Sequence, residues 1–327
     1  VMRRAMSDRH LLPIACLLLA ACAGANPGAP GPATVHVVRS EIILVPQGIF
    51  APRLLYPEGR VDFDIVERLM DQAMQRVTGK DPDPAWQQFV SPTDTVGVMI
   101  EANRYPVQAA TVEVIIDRLV SAGVAPGKII VFGGDERDLF AAGFNISRDP
   151  SGVRVLGAES EGFRGGISRI VTDYCDVIIN VGALRTDPDL GMAGCLANTL
   201  ACVPTVRRVA LLQAPAELPE VAAHPALRRK IRLNILEAYL PLLETVGQAR
   251  TTWQYKGLLI GTDMVAVDTV GLKILEGCRR SYKQADWPLP ASPGYLQTAQ
   301  EAYHVGQADD KRITVNLSGY AEGSYLQ

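Results

Sequence analysis

The sequence predicts a single doubly wound, mostly parallel α/β sheet flanked by helices. Three observations lead there. Short apolar runs alternate with amphipathic segments at the spacing of right-handed crossovers. The apolar runs are continuous, as in strands covered on both faces. A composition of 48% hydrophobic and 20% charged residues over 327 residues can bury a large core, and no linker divides the body.

The elements follow in chain order. Residues 35–45 (VHVVRSEIILV) read as the first strand. Residues 63–77 read as a helix with Ile65, Leu69 and Ala73 on one face. Residues 95–100 (TVGVMI) are a buried strand. Residues 108–122 are a helix with Val112, Ile115, Ile116, Leu119 and Val120 inward; Gly123 ends it and Pro126-Gly127 turns the chain. Residues 128–132 are the next strand, and Gly133-Gly134-Asp135 makes a tight turn into a helix with an acidic start. Strands are expected at 176–181, 208–212 and 257–261, a helix at 264–276, and a closing strand at 312–316. Residues 227–246 carry both periodicities. A Pro-rich loop at 284–293 precedes a final helix near 295–303, and Trp287 is expected to pack there.

The first residues carry an address. Arg3, Arg4 and Arg9 precede the apolar run LLPIACLLLAA, which is too short to span a bilayer. It ends in Leu19-Ala20-Ala21-Cys22, which resembles a lipobox. The expected organisation is a lipoprotein signal peptide over 1–21, a lipidated Cys22 with a Gly/Pro tether over 22–34, and one α/β domain over 35–327. Ala23 after the cysteine resembles outer-membrane sorting. The expected location is therefore a bacterial cell envelope, lipid-anchored at the outer membrane and facing the periplasm. Loss of 1–21 removes Arg3, Arg4, Arg9 and Asp8, so the body is more acidic than the −3 of the whole chain.

Composition excludes several functions. With 32 basic against 35 acidic residues and 6% aromatics, nothing points to nucleic acid. There is no CxxC pair, so iron–sulfur and zinc-knuckle motifs have no support. P-loop, GxSxG and HExxH motifs are absent as well. His36, His224 and His304 lie far apart and read as surface or capping residues. Cys175, Cys195, Cys202 and Cys278 sit among apolar neighbours and read as buried thiols. An exported protein nevertheless permits a Cys195–Cys202 disulfide. The Glu161–Ser168 stretch, with Gly165-Gly166, is a weak anion-loop candidate; a plain loop with Ser168 as a cap is the simpler reading.

What remains is polar residues just beyond strands, where open α/β sheets bind ligands. These are Glu101 and Asn103; Arg185, Thr186, Asp187 and Asp189; and Thr262 and Asp263, with Asp268 one turn into the following helix. Each also has an ordinary structural reading, as turn residue or helix cap.

Five stretches in order resemble the bacterial and archaeal domain of unknown function 362 family, over roughly residues 95–317. They are VGVMIEANRYP with the following AGVAPGKIIVFGGD, then DVIINVGALRTDPDLGMAGCLANTLACVP, IRLNILEA, GLLIGTDMVAVDTVGLKIL, and the tail AYHVGQADDKRITV. The resemblance favours a strand near 233–236 and implies a site at the strand ends. It also points to Asn198 and Glu237 as site positions. The departures are specific. Glu101 replaces the lysine of the family's KPN, while Asn103 is kept. Arg185 and Asp187 replace a K-x-H pair, Ala197 replaces the lysine before Asn198, and Asp263 is followed by Met264 instead of proline. Some relatives carry ferredoxin-type clusters, whose motif this chain lacks.

These residues support two principal expectations. One is an exported ligand-binding domain taking a small anionic molecule or an envelope partner protein at Glu101, Asn103, Arg185, Thr186, Asp187, Asn198, Thr262, Asp263 and Asp268. The other is a divalent-metal-dependent enzyme, with Asp187, Asp189, Glu237 and Asp263 as oxygen ligands for a cation. A third reading makes the acids caps and solvated loop residues.

Overall fold

The structure, a computed structural model, describes residues 30–45, 60–103, 105–320 and 326. Cys22, the signal segment and most of the tether lie outside the described residues. Among the described residues no helix is long and apolar enough to cross a membrane.

Among the described residues the main sheet has ten strands. These are β1 (Ala33–Arg39), β2 (Val96–Ile100), β3 (Ile129–Gly133), β4 (Arg154–Gly157), β5 (Val177–Asp187), β6 (Gly191–Ala193), β7 (Ile231–Val246), β8 (Ala249–Thr252), β9 (Gly257–Gly261) and β10 (Ile313–Gly319). The order is β10-β1-β9-β7-β5-β2-β3-β4, with β6 beside β5 and β8 beside β7. Neighbours on this path are parallel except around β9, which runs antiparallel to both β1 and β7. The fold is thus α/β and mostly parallel, with one reversed strand inside it.

Alternation along the strands sends side chains to two cores. Met99, Ile130, Phe132 and Ile178 enter one, while Val98, Ile100, Val131 and Ile179 enter the other. The second core is covered by α1 (Phe63–Thr78), through Val66, Leu69, Met70, Ala73 and Met74, and by α2 (Ala109–Ser121). Asp62 caps α1 by accepting the Ile65 amide, and Gly79 ends it at φ 70°. Asp135 likewise caps α3 (Glu136–Ala141), as the acidic start requires. The first core is covered by α4 (Cys195–Asn198), α5 (Thr205–Gln213) and α6 (Met264–Lys283).

Several expectations change. Residues 208–212 are not a strand: they lie in α5, whose inward side is marked by the buried Leu211, while Val206 and Val209 are exposed. Strand β4 was not expected, because its Arg154 and Gly157 mask the apolar pattern. The first strand begins at Ala33, inside the expected tether, and stops at Arg39. Strand β7 runs well past 233–236. The Glu161–Ser168 stretch is a hairpin whose turn places Gly165 and Gly166 at φ 59° and 81°, and Ser168 accepts the Ile170 amide. His36 is not a surface residue. It is buried in β1, and burial followed by the charge of Arg76 lowers its pKa. His224 does cap a helix, accepting the Ala226 amide. Cys175, Cys195, Cys202 and Cys278 are buried free thiols, so Cys195 and Cys202 are not bridged. Trp287 packs against the Arg279 guanidinium at 3.9 Å.

Candidate functional site

The C-terminal ends of β2 and β3 open into a cavity of about 220 Å³. Glu101 and Asn103 enter it from the turn after β2, and Gly134 from the turn after β3. Arg185 and Asp187 reach it from the far end of β5, which overruns its neighbours, and Asn198 from the end of α4. Asp138 on α3 and Arg208 on α5 complete the polar lining.

Arg185 is the centre of this arrangement. Its side chain is 7% exposed, and it bonds Asp187 while lying 3.5 Å from Glu101 Oε2. Burial works against its charge, but Glu101 and Asp187 outweigh that and hold its pKa above the ordinary value. Asp187 is held low for the reciprocal reason. Burial opposes ionisation, but Arg185 and the amides of Leu190 and Asp189 prevail. Those two amide bonds also shape the β5–β6 turn, so one carboxylate fixes both the loop and the guanidinium. Among the described residues the arginine Nε–H has no hydrogen-bond partner.

The floor of the site is a buried ladder of asparagines. Asn198 Nδ2 donates to Asn180 Oδ1 (2.9 Å) and approaches the carbonyls of Val181 and Met99. Asn180 Nδ2 donates to Asn234 Oδ1 (3.0 Å) and to the Cys195 carbonyl (2.9 Å). Asn234 then reaches the carbonyls of Thr262 and Gly261. Strand register sets the ladder, since Asn180 lies opposite Asn234 and Asn234 opposite Gly261. Each buried amide is thereby satisfied, and α4 is tied across the middle of the sheet.

Arg208 covers one wall. It donates to the Leu200 carbonyl at 3.2 Å and the Val203 carbonyl at 3.4 Å, and its guanidinium lies against Gly134. A Cβ at Gly134 would meet that guanidinium, so a side chain there would have to displace the end of Arg208.

The remaining expected site residues lie elsewhere. Thr262 and Asp263 follow β9, and because β9 is reversed its C-terminal end points the other way, toward the starts of β1 and β7. There they line a separate cavity with Thr34 and His36, at the beginning of β1. Asp263 is a helix cap, accepting the amides of Val265 and Ala266 at 2.9 Å and that of Gln307 at 2.9 Å. Asp268 is wholly buried. It accepts the amides of Cys195 (2.7 Å) and Leu196 (2.8 Å) at the start of α4, and burial raises its pKa to about 7. Gly194 is fixed by the same contact, since a Cβ there would collide with the Asp268 carboxylate. Thr186 faces a second cavity beside the first.

The four carboxylates expected as metal ligands do not form a set. Asp189 is exposed, Asp187 is bound to Arg185, and Asp263 caps α6. Glu237 lies under the start of α2, accepting the Gln108 amide at 3.0 and 3.1 Å, and burial raises its pKa to about 8. Both of its oxygens are thus engaged by a backbone amide inside the core, away from Asp187, Asp189 and Asp263. Among the described residues no group of three or more His, Cys, Asp or Glu is placed to hold a metal ion.

Arg208, Asp138, Asn180 and Asn234 were not anticipated. Asn180 and Asn234 could have been found as single polar residues interrupting apolar strands (DVIINV, IRLNILEA). Arg208 carried no such signal, since its segment reads as a strand.

A family model described as Domain of unknown function (DUF362) matches residues 155–273, which spans β5, α4, β7, β9 and the first half of α6. The match supports that family over this stretch. No curated protein matches the chain. A solved structure, the crystal structure of a protein from Thermotoga maritima, aligns at 10% identity with a TM-score of 0.38. The alignment covers 69% of this chain, which spans 60% of that protein's length.

Proposed function

We propose that the α/β domain binds a small polar molecule in the cavity at the ends of β2 and β3, and that a lipid on Cys22 holds the protein at a bacterial outer membrane, facing the periplasm. One observation carries the ligand reading. Segments far apart in sequence bring Glu101, Asn103, Arg185, Asp187 and Asn198 around one concave space at the strand ends. The envelope reading rests on the basic leader, the short apolar run and the lipobox-like Leu19-Ala20-Ala21-Cys22.

The charge inventory alters the expected ligand. Glu101, Asp138 and Asp187 face Arg185 and Arg208, and Arg185 is already compensated by two carboxylates. A bare anion gains little there. A molecule offering amino or hydroxyl donors to Glu101 and Asp138 fits better. The volume is below the range of about 300–1,000 Å³ typical of drug-sized pockets, which suits a small metabolite.

Thermal unfolding with added amino acids and neutral sugars tests this reading, with mass spectrometry of molecules that co-purify. Binding raises the unfolding temperature in a concentration-dependent way. The shift should be lost in Asn103→Ala and Asp138→Asn. Equal shifts in the variants, or no shift and no co-purified molecule, would overturn the assignment.

A further inference from the structure

We propose that the cleft between the β5–β6 turn and the β7–β8 hairpin is an oxyanion subsite. It takes the carboxylate or phosphate end of a ligand whose donor-bearing end occupies the cavity beside it. The pairing of the two ends rests on the reading above; the oxyanion site itself does not.

The cleft measures about 670 Å³ and is lined by Arg185, Thr186, Thr245, Gln248 and Arg250, with Leu242 as an apolar wall. Among the described residues no carboxylate lines it. The neighbouring Glu244 is kept away by the pleat. Thr245 lies opposite Arg250, and Glu244 lies opposite Thr251, so the acid belongs to the other face of the hairpin. Two guanidinium groups, two hydroxyls and an amide are the donor set that recognises a carboxylate or phosphate.

Arg185 joins the two spaces, since it lines both. Its terminal nitrogens are committed to Glu101 and Asp187, while its Nε–H is buried with no partner among the described residues. A buried donor without an acceptor is costly, and a bound oxygen would satisfy it. Among the described residues, acids thus line one side of this arginine and none line the other. A ligand with a donor-rich end and an oxyanion end matches that polarity.

The test is calorimetric titration of the protein with inorganic phosphate and with succinate at low ionic strength. Wild type, Arg250→Gln, Thr245→Val and Asn103→Ala would be compared. Arg250 is half-buried and rests over the Tyr105 ring at 5.7 Å, so circular dichroism and the unfolding temperature are compared first, to show that Arg250→Gln folds as wild type does. Saturable binding of phosphate or succinate is expected, and the tighter of the two identifies the source of the oxyanion. Affinity should fall about tenfold or more in Arg250→Gln and fall in Thr245→Val, while Asn103→Ala binds as wild type. Failure of both anions to bind wild type, or unchanged binding in Arg250→Gln, overturns the subsite. Arg250-dependent anion binding without any shift by amino acids or sugars supports the subsite and removes only the reading of the first cavity.

Discussion

Replacing Glu237 by glutamine should make the protein more stable in alkaline solution and barely change it in acid. The carboxyl sits on β7, 5% exposed, against the Gln108 amide that opens α2. Burial raises its pKa from 4.5 to about 8, outweighing the bonds from Thr111 and Gln108. In the unfolded chain the same group ionises near its ordinary value. Between the two pKa values the native state therefore holds a proton that the unfolded state has released, and stability falls as pH rises. A gap of about 3.5 pH units at about 1.4 kcal/mol per unit sets a ceiling of about 5 kcal/mol. Between about pH 5 and about pH 8 the linkage integrates to roughly 3.5 kcal/mol, which is an upper figure if water reaches the site. Glutamine cannot ionise, and its amide oxygen can still accept the Gln108 N–H. Denaturant unfolding of both proteins across that range isolates the effect, because Asp268 and His36 titrate equally in each. The difference should start near zero and grow to about 2–4 kcal/mol in favour of Glu237→Gln. A difference that stays flat with pH would refute the claim that this carboxyl is buried and neutral.

Arg185→Met should destabilise the fold by about 3–5 kcal/mol in denaturant unfolding, because Glu101 and Asp187 would remain buried without their cation; a neutral substitution would show that the ion pairs do not form. Asp268→Ala should cost about 2–5 kcal/mol in the same assay, since the amides of Cys195 and Leu196 lose their acceptor. Gly134→Ala should cost under about 1 kcal/mol, as Arg208 can swing aside, yet weaken ligand-induced thermal stabilisation; an unchanged ligand shift would exclude Arg208 from the cavity wall. Cys22→Ser should abolish palmitate labelling and membrane fractionation, and retained labelling would contradict the proposed anchor.

Much of the architecture was legible because local chemistry fixed it. The continuous apolar runs of β2, β3, β5 and β9 announced buried strands, and Asp135 and Asp263 announced helix starts that they do cap. The buried thiols followed from their apolar neighbours. The two-turn α5 was misread because Val206, Val209 and Leu212 leave too little contrast between its faces to betray a helical period. Arg208 was lost from the site with it.

By itself the sequence determined the continuous apolar strands β2, β3, β5 and β9, two acids that cap helices, and that polar clusters follow strands. Only the tertiary structure decided which clusters meet. Periodicity reports burial and carries no sign for strand direction, so nothing local marks β9 as antiparallel to β1 and β7. That reversal sends Thr262 and Asp263 toward the starts of β1 and β7 and into a separate cavity, while the parallel β2, β3 and β5 bring Glu101, Gly134 and Arg185 together. The same chain that places carboxylates after its strands thus uses Asp263 and Asp268 to hold helices, and only Glu101 and Asp187 to grip the arginine at the site.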